Sequence, residues 1–281
     1  MMNIVYPVLV LGVMGAAFGA LLAFASKIFY VEVDERQEAI AGILPGANCG
    51  GCGYAGCGGY AAAVVAGEAP VNKCAAGGAD VAAQIAEIMG VEAGSAERMV
   101  AFVKCSGVDG KVQKKFEYSG INDCLAAMRL GGGQGPNECS KGCMGFGNCV
   151  AACPFDAIHI VDGVAKVDHE KCVGCMSCAA ACPKKLIEQV PYAANVLVGC
   201  NSTDKGAAVR KNCQVGCIGC KICEKNCEAD AIHVVDNLAY IDYSKCTNCG
   251  TCASKCPRHI IIDMVVREGS EETVPVVTKA E

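Results

Sequence analysis

Three cysteine runs carry the chemistry of this chain. Cys172, Cys175, Cys178 and Cys182 follow the spacing C-x2-C-x2-C-x3-C, with Pro183 next; Cys246, Cys249, Cys252 and Cys256 repeat it before Pro257. Cys217, Cys220, Cys223 and Cys227 repeat it again, with Glu228 where the proline stood. Disulfides need an oxidising compartment, and structural zinc usually takes two separated C-x2-C knuckles. The observed run belongs to iron–sulfur chemistry: three thiolates and a distant fourth hold one cubane, and the last cysteine of the run serves a neighbouring cubane. A different run, Cys49-x2-Cys52-x4-Cys57, lies in the glycine-dense stretch 46–59, with Cys74 beyond it. Glycine lets backbone amides approach and point at sulfur, which suits a negatively charged group. These four cysteines read as one further 4Fe–4S site.

The region 139–263 is an internal repeat with an offset of 74 residues. Of the 20 positions in CPFDAIHIVDGVAKVDHEKC (153–172) and CEADAIHVVDNLAYIDYSKC (227–246), eleven are identical. Each unit reads as a strand, a turn at Asp162-Gly163 or Asp236-Asn237, and a second strand. Each is therefore a two-cluster, bacterial-ferredoxin-like module. The second pairs Cys217, Cys220, Cys223 and Cys256 in one site and Cys227, Cys246, Cys249 and Cys252 in the other. The first pairs Cys153 with Cys172, Cys175 and Cys178. Its other site departs from the pattern, running Cys139-x3-Cys143-x5-Cys149-x3-Cys153, with Phe146 opposite Cys220. Cys139 is the expected replacement ligand beside Cys143, Cys149 and Cys182, although it lies opposite Cys213, which its own module does not need. Of 24 cysteines, the N-terminal site takes 4 and the modules 16, which leaves Cys105, Cys124, Cys200 and Cys213. Two readings stay open for these: a sixth cubane beside the five, or buried structural thiols, with Cys139 and Cys213 exchangeable in role.

The elements that must position these runs follow from the rest of the chain. Met1 to Ser26 carries no charge, and Ile4–Ala25 would span about 33 Å as a helix. Ala23-Phe24-Ala25 imitates a signal cleavage site, but no Lys or Arg precedes the apolar run and the run is long for a signal peptide. A retained, single-pass membrane anchor is expected, with Lys27 and Arg36 placing the bulk of the chain on the cytoplasmic side. Gly15 and Gly19, with Ala16 and Ala20, make a small-residue stripe suited to another transmembrane helix. Residues 32–44 read as a short amphipathic connector, Asp80–Met89 as a helix capped by Asp80 and stopped by Gly90, and Asp123–Leu130 as a short helix before Gly131-Gly132-Gly133. Ala96–Val103 fits a strand or a helical turn. The fold class is α+β: an anchor (1–30), a Gly-rich 4Fe–4S domain (31–90), a connecting region (91–138), a first module (139–190), a linker (191–212), a second module (213–265) and a polar tail (266–281).

Other chemistry is thin. Twenty-four basic against 29 acidic residues give a net charge of −5, against the basic excess a nucleic-acid binder needs. No Ser/His/Asp grouping, carboxylate pair, phosphate loop or dinucleotide fingerprint occurs, so no flavin or nucleotide site and no substrate-transforming site is expected. His159 and His233 fall in the repeated strands as partly exposed residues; His169 and His259 flank cluster loops. Lys184, Lys185, Lys221, Lys225, Lys255 and Arg258 adjoin module cysteines, either as a dock for an acidic electron donor, as a solvated face, or as groups that screen the clusters and bond to nearby carbonyls.

An uncharged N-terminal span, then N-C-G-G-C-G-Y-A-G-C-G-G-Y (48–60), then tandem ferredoxin repeats resembles the B subunits of Rnf complexes, the membrane ion-translocating ferredoxin:NAD oxidoreductases. The resemblance covers nearly the whole chain. The second module and Cys105, Cys124, Cys200 and Cys213 depart from the shortest members, which carry one module. It implies an electron-transfer subunit that takes electrons from soluble ferredoxin and passes them to membrane partners, with flavin and nicotinamide sites on other subunits. A polyferredoxin subunit of another membrane reductase or hydrogenase is the alternative within electron transfer, and a cluster-based redox sensor or zinc-stabilised scaffold the alternative outside it.

Overall fold

The computed structural model describes residues 2–28, 34–94, 97–130 and 132–264. The polar tail, the start of the connector at 32–33, Ala96 and Gly131 lie outside the described residues. Helix α1 (Met2–Ile28) is about 40 Å long and apolar enough to cross a membrane. None of its most apolar window is buried in the molecule, and Leu9, Leu11, Phe18, Leu22 and Phe24 are all exposed. Such a surface calls for lipid or an apolar partner.

Three short helices build the N-terminal domain: α2 (Glu35–Ile43), α3 (Gly56–Val65) and α4 (Gly78–Met89). Asp34 caps α2 by accepting from the Arg36 amide at 2.9 Å. Helix α4 begins two residues before the expected Asp80, which sits in the first turn, where its charge suits the helix dipole, and is not the cap. Gly90 closes α4 in the left-handed conformation (φ 65°). Ile40, Tyr60, Val64 and Ile85 make the core, and the Tyr60 hydroxyl donates to the Pro70 carbonyl at 2.8 Å.

The remainder is a set of two-stranded antiparallel sheets and short helices. In chain order these are β1 (Met99–Val103), α5 (Cys124–Arg129), α6 (Asn148–Ala151), β2 (Ile158–Val161), β3 (Val164–Val167), α7 (Ser177–Ala181) and β4 (Ile187–Pro191). Then come β5 (Val196–Val198), α8 (Gly206–Asn212), α9 (Ile222–Lys225), β6 (Ile232–Val235), β7 (Leu238–Ile241), α10 (Thr251–Ser254) and β8 (Ile261–Asp263). The expected hairpins form as β2–β3 and β6–β7. Their turn residues all have positive φ: Asp162 and Gly163, Asp236 and Asn237. That is the turn whose twist matches paired strands.

The segment at 99–103 is a strand, and its partner is distant. Strand β1 pairs with β4, from Met99 opposite Pro191 to Val103 opposite Ile187, and β5 pairs with β8 in the same way. Each repeat thus has a central hairpin and an outer strand pair. The first strand of each outer pair comes from a segment expected to be connecting chain. One core gathers Val100, Ile158, Val164, Leu186 and Val190; a second gathers Val196, Ile232, Ile241 and Ile260. Tyr243 packs against both.

Candidate metal centres

Each cysteine run is a loop whose conformation is set by left-handed residues at fixed places. In Cys172–Cys178 they are Gly174 and Met176, in Cys217–Cys223 Gly219 and Lys221, and in Cys246–Cys252 Asn248 and Gly250. The middle cysteine lies between the two in every case. The third residue after the last cysteine is also left-handed: Asp156, Lys185, Asp230 and His259. Gly219 packs so closely on the hairpin turn that a Cβ would stand 3.1 Å from the Asn237 backbone; at Gly145 it would stand 2.5 Å from the Gly163 carbonyl. These turns curl the loop so that three thiols face one hollow.

Five hollows are each lined by four cysteines or by three with a fourth borrowed from elsewhere. Cys49, Cys52, Cys57 and Cys74 surround one of ≈ 380 Å³ in the N-terminal domain. Cys153, Cys172, Cys175 and Cys178 surround one of ≈ 320 Å³, and Cys217, Cys220, Cys223 and Cys256 one of ≈ 330 Å³. The remaining set is Cys227, Cys246, Cys249 and Cys252, and Cys252 lies in the electrostatic reach of Cys223, Cys246 and Cys227. The other site of the first module differs from expectation. Its hollow of ≈ 390 Å³ is lined by Cys143, Cys149 and Cys182 together with Cys124, and not with Cys139. Cys139 instead lines another hollow, of ≈ 440 Å³, with Cys105, Cys200 and Cys213. The expected partition therefore has Cys124 and Cys139 exchanged.

The exchange has a local cause. Phe146 occupies the middle-cysteine position, flanked by left-handed Gly145 and Gly147, and its ring lies 4.8 Å from that of Tyr118. The missing thiol arrives on α5. Asp123 caps that helix by accepting from the Ala126 amide at 2.7 Å, and Asn148 Nδ2 donates to Asp123 at 3.0 Å. Asn148 Oδ1 in turn accepts from the Cys124 amide at 2.6 Å. The sequence signal was the cap Asp123 directly before a cysteine, in a module one thiol short.

The thiols are surrounded by amide donors. Ala157 N–H donates to Cys153 Sγ at 3.4 Å and Ala231 N–H to Cys227 Sγ at 3.3 Å, equivalent bonds in the two modules. Ala101 N–H donates to Cys172 Sγ at 3.3 Å. Burial pushes the thiol pKa of Cys105, Cys149 and Cys252 up to about 12, and of Cys178 and Cys223 up to about 11. Iron loading must therefore displace protons. Among the described residues no three Cys, His, Asp or Glu side chains converge closely enough to hold a single metal ion. Four cysteines spread around a hollow fit a polynuclear cluster.

The N-terminal site lies against the first module. Ser177 Oγ donates to the Cys49 carbonyl at 3.2 Å, and a Cβ on Gly51 would stand 2.8 Å from Cys175 Cα. Of the basic residues beside the runs, two are engaged internally: Lys184 donates to the Ser140 carbonyl at 2.7 Å, and Arg258 to the Cys213 carbonyl at 2.6 Å. Lys185, Lys221, Lys225 and Lys255 are exposed. His159 and His233 sit half-buried on β2 and β6, each 3.1 Å from the carbonyl of the left-handed aspartate before its strand. His259 is exposed, and burial lowers the His169 pKa.

Known proteins match along the same divisions. Residues 44–76 match the family described as putative Fe-S cluster, and residues 138–186 and 216–261 each match a 4Fe-4S dicluster domain. The chain is 49% identical over 92% of its length to the B subunit of the Na(+)-translocating ferredoxin:NAD(+) oxidoreductase complex of Acetobacterium woodii, covering 77% of that protein. It is 46% identical to the B subunit of the proton-translocating ferredoxin:NAD(+) oxidoreductase complex of Clostridium ljungdahlii, over 91% of each chain. With the B subunit of the ion-translocating oxidoreductase complex of Methanosarcina acetivorans it shares 42% identity over 92% of this chain and 97% of that one.

Proposed function

Because this chain belongs to the family of B subunits of ion-translocating ferredoxin:NAD oxidoreductases, the Rnf complexes, we propose that it relays single electrons from reduced ferredoxin to the membrane subunits of such a complex. Cys49, Cys52, Cys57 and Cys74 hold the cluster nearest the anchor in sequence, and the two modules hold two each. A bound 4Fe–4S cluster supplies one-electron exchange with little movement of its ligands. The chain's residues do the rest. Amide donors to sulfur favour the negative charge of a cluster with four thiolates, and burial keeps water from 11 of the 24 thiols. The helix α1 anchors the chain in the cell membrane, with Lys27 and Arg36 holding the cluster domains on the cytoplasmic side, and Gly15 and Gly19 packing on a partner helix. Flavin and nicotinamide chemistry belongs to other subunits.

The observation that carries this reading is the contact of Cys49 and Gly51 with Ser177 and Cys175. It makes the site next to the anchor continuous with a module made of ferredoxin-type loops. Full-length protein, purified anaerobically in detergent, should be reduced by a small amount of ferredoxin that is itself kept reduced, and all cluster signals should appear by electron paramagnetic resonance. Reduction by dithionite but not by ferredoxin would overturn the assignment of the donor.

A further inference from the structure

We propose that Cys105, Cys139, Cys200 and Cys213 hold an additional 4Fe–4S cluster at the seam between the two modules, and that this cluster is the electrical junction between them. The proposal rests on the reading that the other tetrads hold clusters. Three of its four thiols, Cys105, Cys200 and Cys213, lie outside the dicluster and N-terminal matches, and Cys139 stands at the very start of one.

The four cysteines are two equivalent pairs. Cys105 follows the end of β1 by two residues, and Cys200 follows the end of β5 by two residues. Cys139 stands four residues before Cys143, and Cys213 four before Cys217. Each module therefore offers one thiol from its outer strand and one from the entry to its first loop. The same hydrogen bond recurs on both sides: Cys143 N–H donates to Cys105 Sγ at 3.4 Å, and Cys217 N–H to Cys200 Sγ at 3.3 Å. Cys143 and Cys217 line the next hollow on either side, so one residue separates the seam from each module.

The seam is built and not accidental. Gln113 N–H donates to the Asn212 carbonyl at 2.9 Å, and Gln214 N–H to the Lys111 carbonyl at 2.8 Å, joining the two modules by backbone. A Cβ built on Gly107 would lie 3.5 Å from Cys105 Sγ and 3.9 Å from Cys213 Sγ, ordinary contact distances, so thiols from both modules face the same small region. The Ser106 hydroxyl lines the same hollow, is buried, and has no hydrogen-bond partner among the described residues. A buried donor left without an acceptor is destabilising; inorganic sulfide or a ligating thiolate would accept from it. Electron passage through the junction makes and breaks no bond: one electron arrives from the reduced donor by way of one module and one leaves into the other.

The test uses the full-length protein, with iron, zinc and acid-labile sulfide counted and the clusters followed by electron paramagnetic resonance. Cys105→Ala, Cys139→Ala, Cys200→Ala and Cys213→Ala should each lose about four iron atoms and the same signal. The Cys139→Ala/Cys200→Ala double should lose no more than either single. Cys124→Ala should lose a different signal, and combined with Cys200→Ala about eight iron atoms. Adding Phe146→Cys to Cys124→Ala should restore about four, because Gly145 and Gly147 already hold the turns that flank Cys220's counterpart; this rescue separates ligation from misfolding. In the Cys200→Ala/Cys213→Ala protein, chemically reducible clusters should persist in both modules, while one-electron donors reduce one module at the original rate and the other at least about tenfold more slowly. Full iron in the four singles, zinc in place of iron, or a Cys124/Cys139 double no worse than its singles would overturn the site. Equal reduction rates of both modules in the double variant would overturn the junction. None of these iron counts depends on ferredoxin, so failure of the donor assignment reads out separately.

Discussion

The two modules share a loop plan but not an exposure. In the second, both middle cysteines, Cys220 and Cys249, are exposed. In the first, the equivalent positions are partly buried: the Phe146 ring packs tilted against Tyr118, and Cys175 lies against Gly51 of the N-terminal domain. The outer strand pair is also longer in the first, five residue pairs against three, which ties it more firmly. One repeat has been built into an interior connector and the other left as an open end. Cysteines reach solvent at the open end; the covered end faces the N-terminal site.

The largest effect should come from prising the covered end apart. Gly51→Leu puts a Cβ 2.8 Å from Cys175 Cα and 3.1 Å from its carbonyl oxygen, backbone that cannot give way. The iron content should stay, while reduction of the N-terminal cluster by ferredoxin falls by about a hundredfold, the scale at which an ångström of misplacement is felt in a preorganised site. Thr247→Leu, on the exposed loop of the second module, should change neither quantity. Rapid-freeze resonance spectra read both; an unaffected N-terminal signal in Gly51→Leu would break the comparison.

A smaller effect should mark the open end. Reversing Lys221, Lys225 and Lys255 to Glu should slow reduction by ferredoxin about tenfold at low salt, a difference that narrows as salt rises. Lys185→Glu in the first module should have little effect, and a neutral mediator should reduce all these proteins equally. Stopped-flow bleaching of the clusters checks this, and equal slowing with both reductants would assign the lysines to cluster stability.

The smallest concerns the borrowed thiol. Asp123→Ala removes the cap of α5 and the acceptor of Asn148, loosening the helix that delivers Cys124. Iron should leave the Cys124 site about fivefold faster in chelator, the scale of a lost helix cap, while release from the Cys220 site, whose ligand sits on its own loop, stays unchanged. Site-resolved signal decay under chelation measures the difference.

Much of this architecture is local and was legible. Three cysteines spaced by two residues can face one hollow through their own turns, and Asp-Gly and Asp-Asn turns force their hairpins, so loops, hairpins and candidate thiols could be read without a fold. The strand β1 could not. Five residues, Met-Val-Ala-Phe-Val, are compatible with either structure, and their partner at 187–191 lies far along the chain. Sequence pattern carries no information on a pairing at that separation.

By itself the sequence determined the chemistry: which side chains can bind iron, in which local loops, beside an apolar helix long enough to be an anchor. Tertiary structure decided the membership of the sites. Cys139 is near Cys143 in sequence, yet its side chain lines the hollow shared with Cys105, Cys200 and Cys213, while Cys124 enters the first module from another helix. A tetrad needs only four thiols around one hollow, and contributions from separate segments are settled by how strands and caps pack, not by spacing along the chain. The same packing decided that one repeat is covered and its near-copy is open.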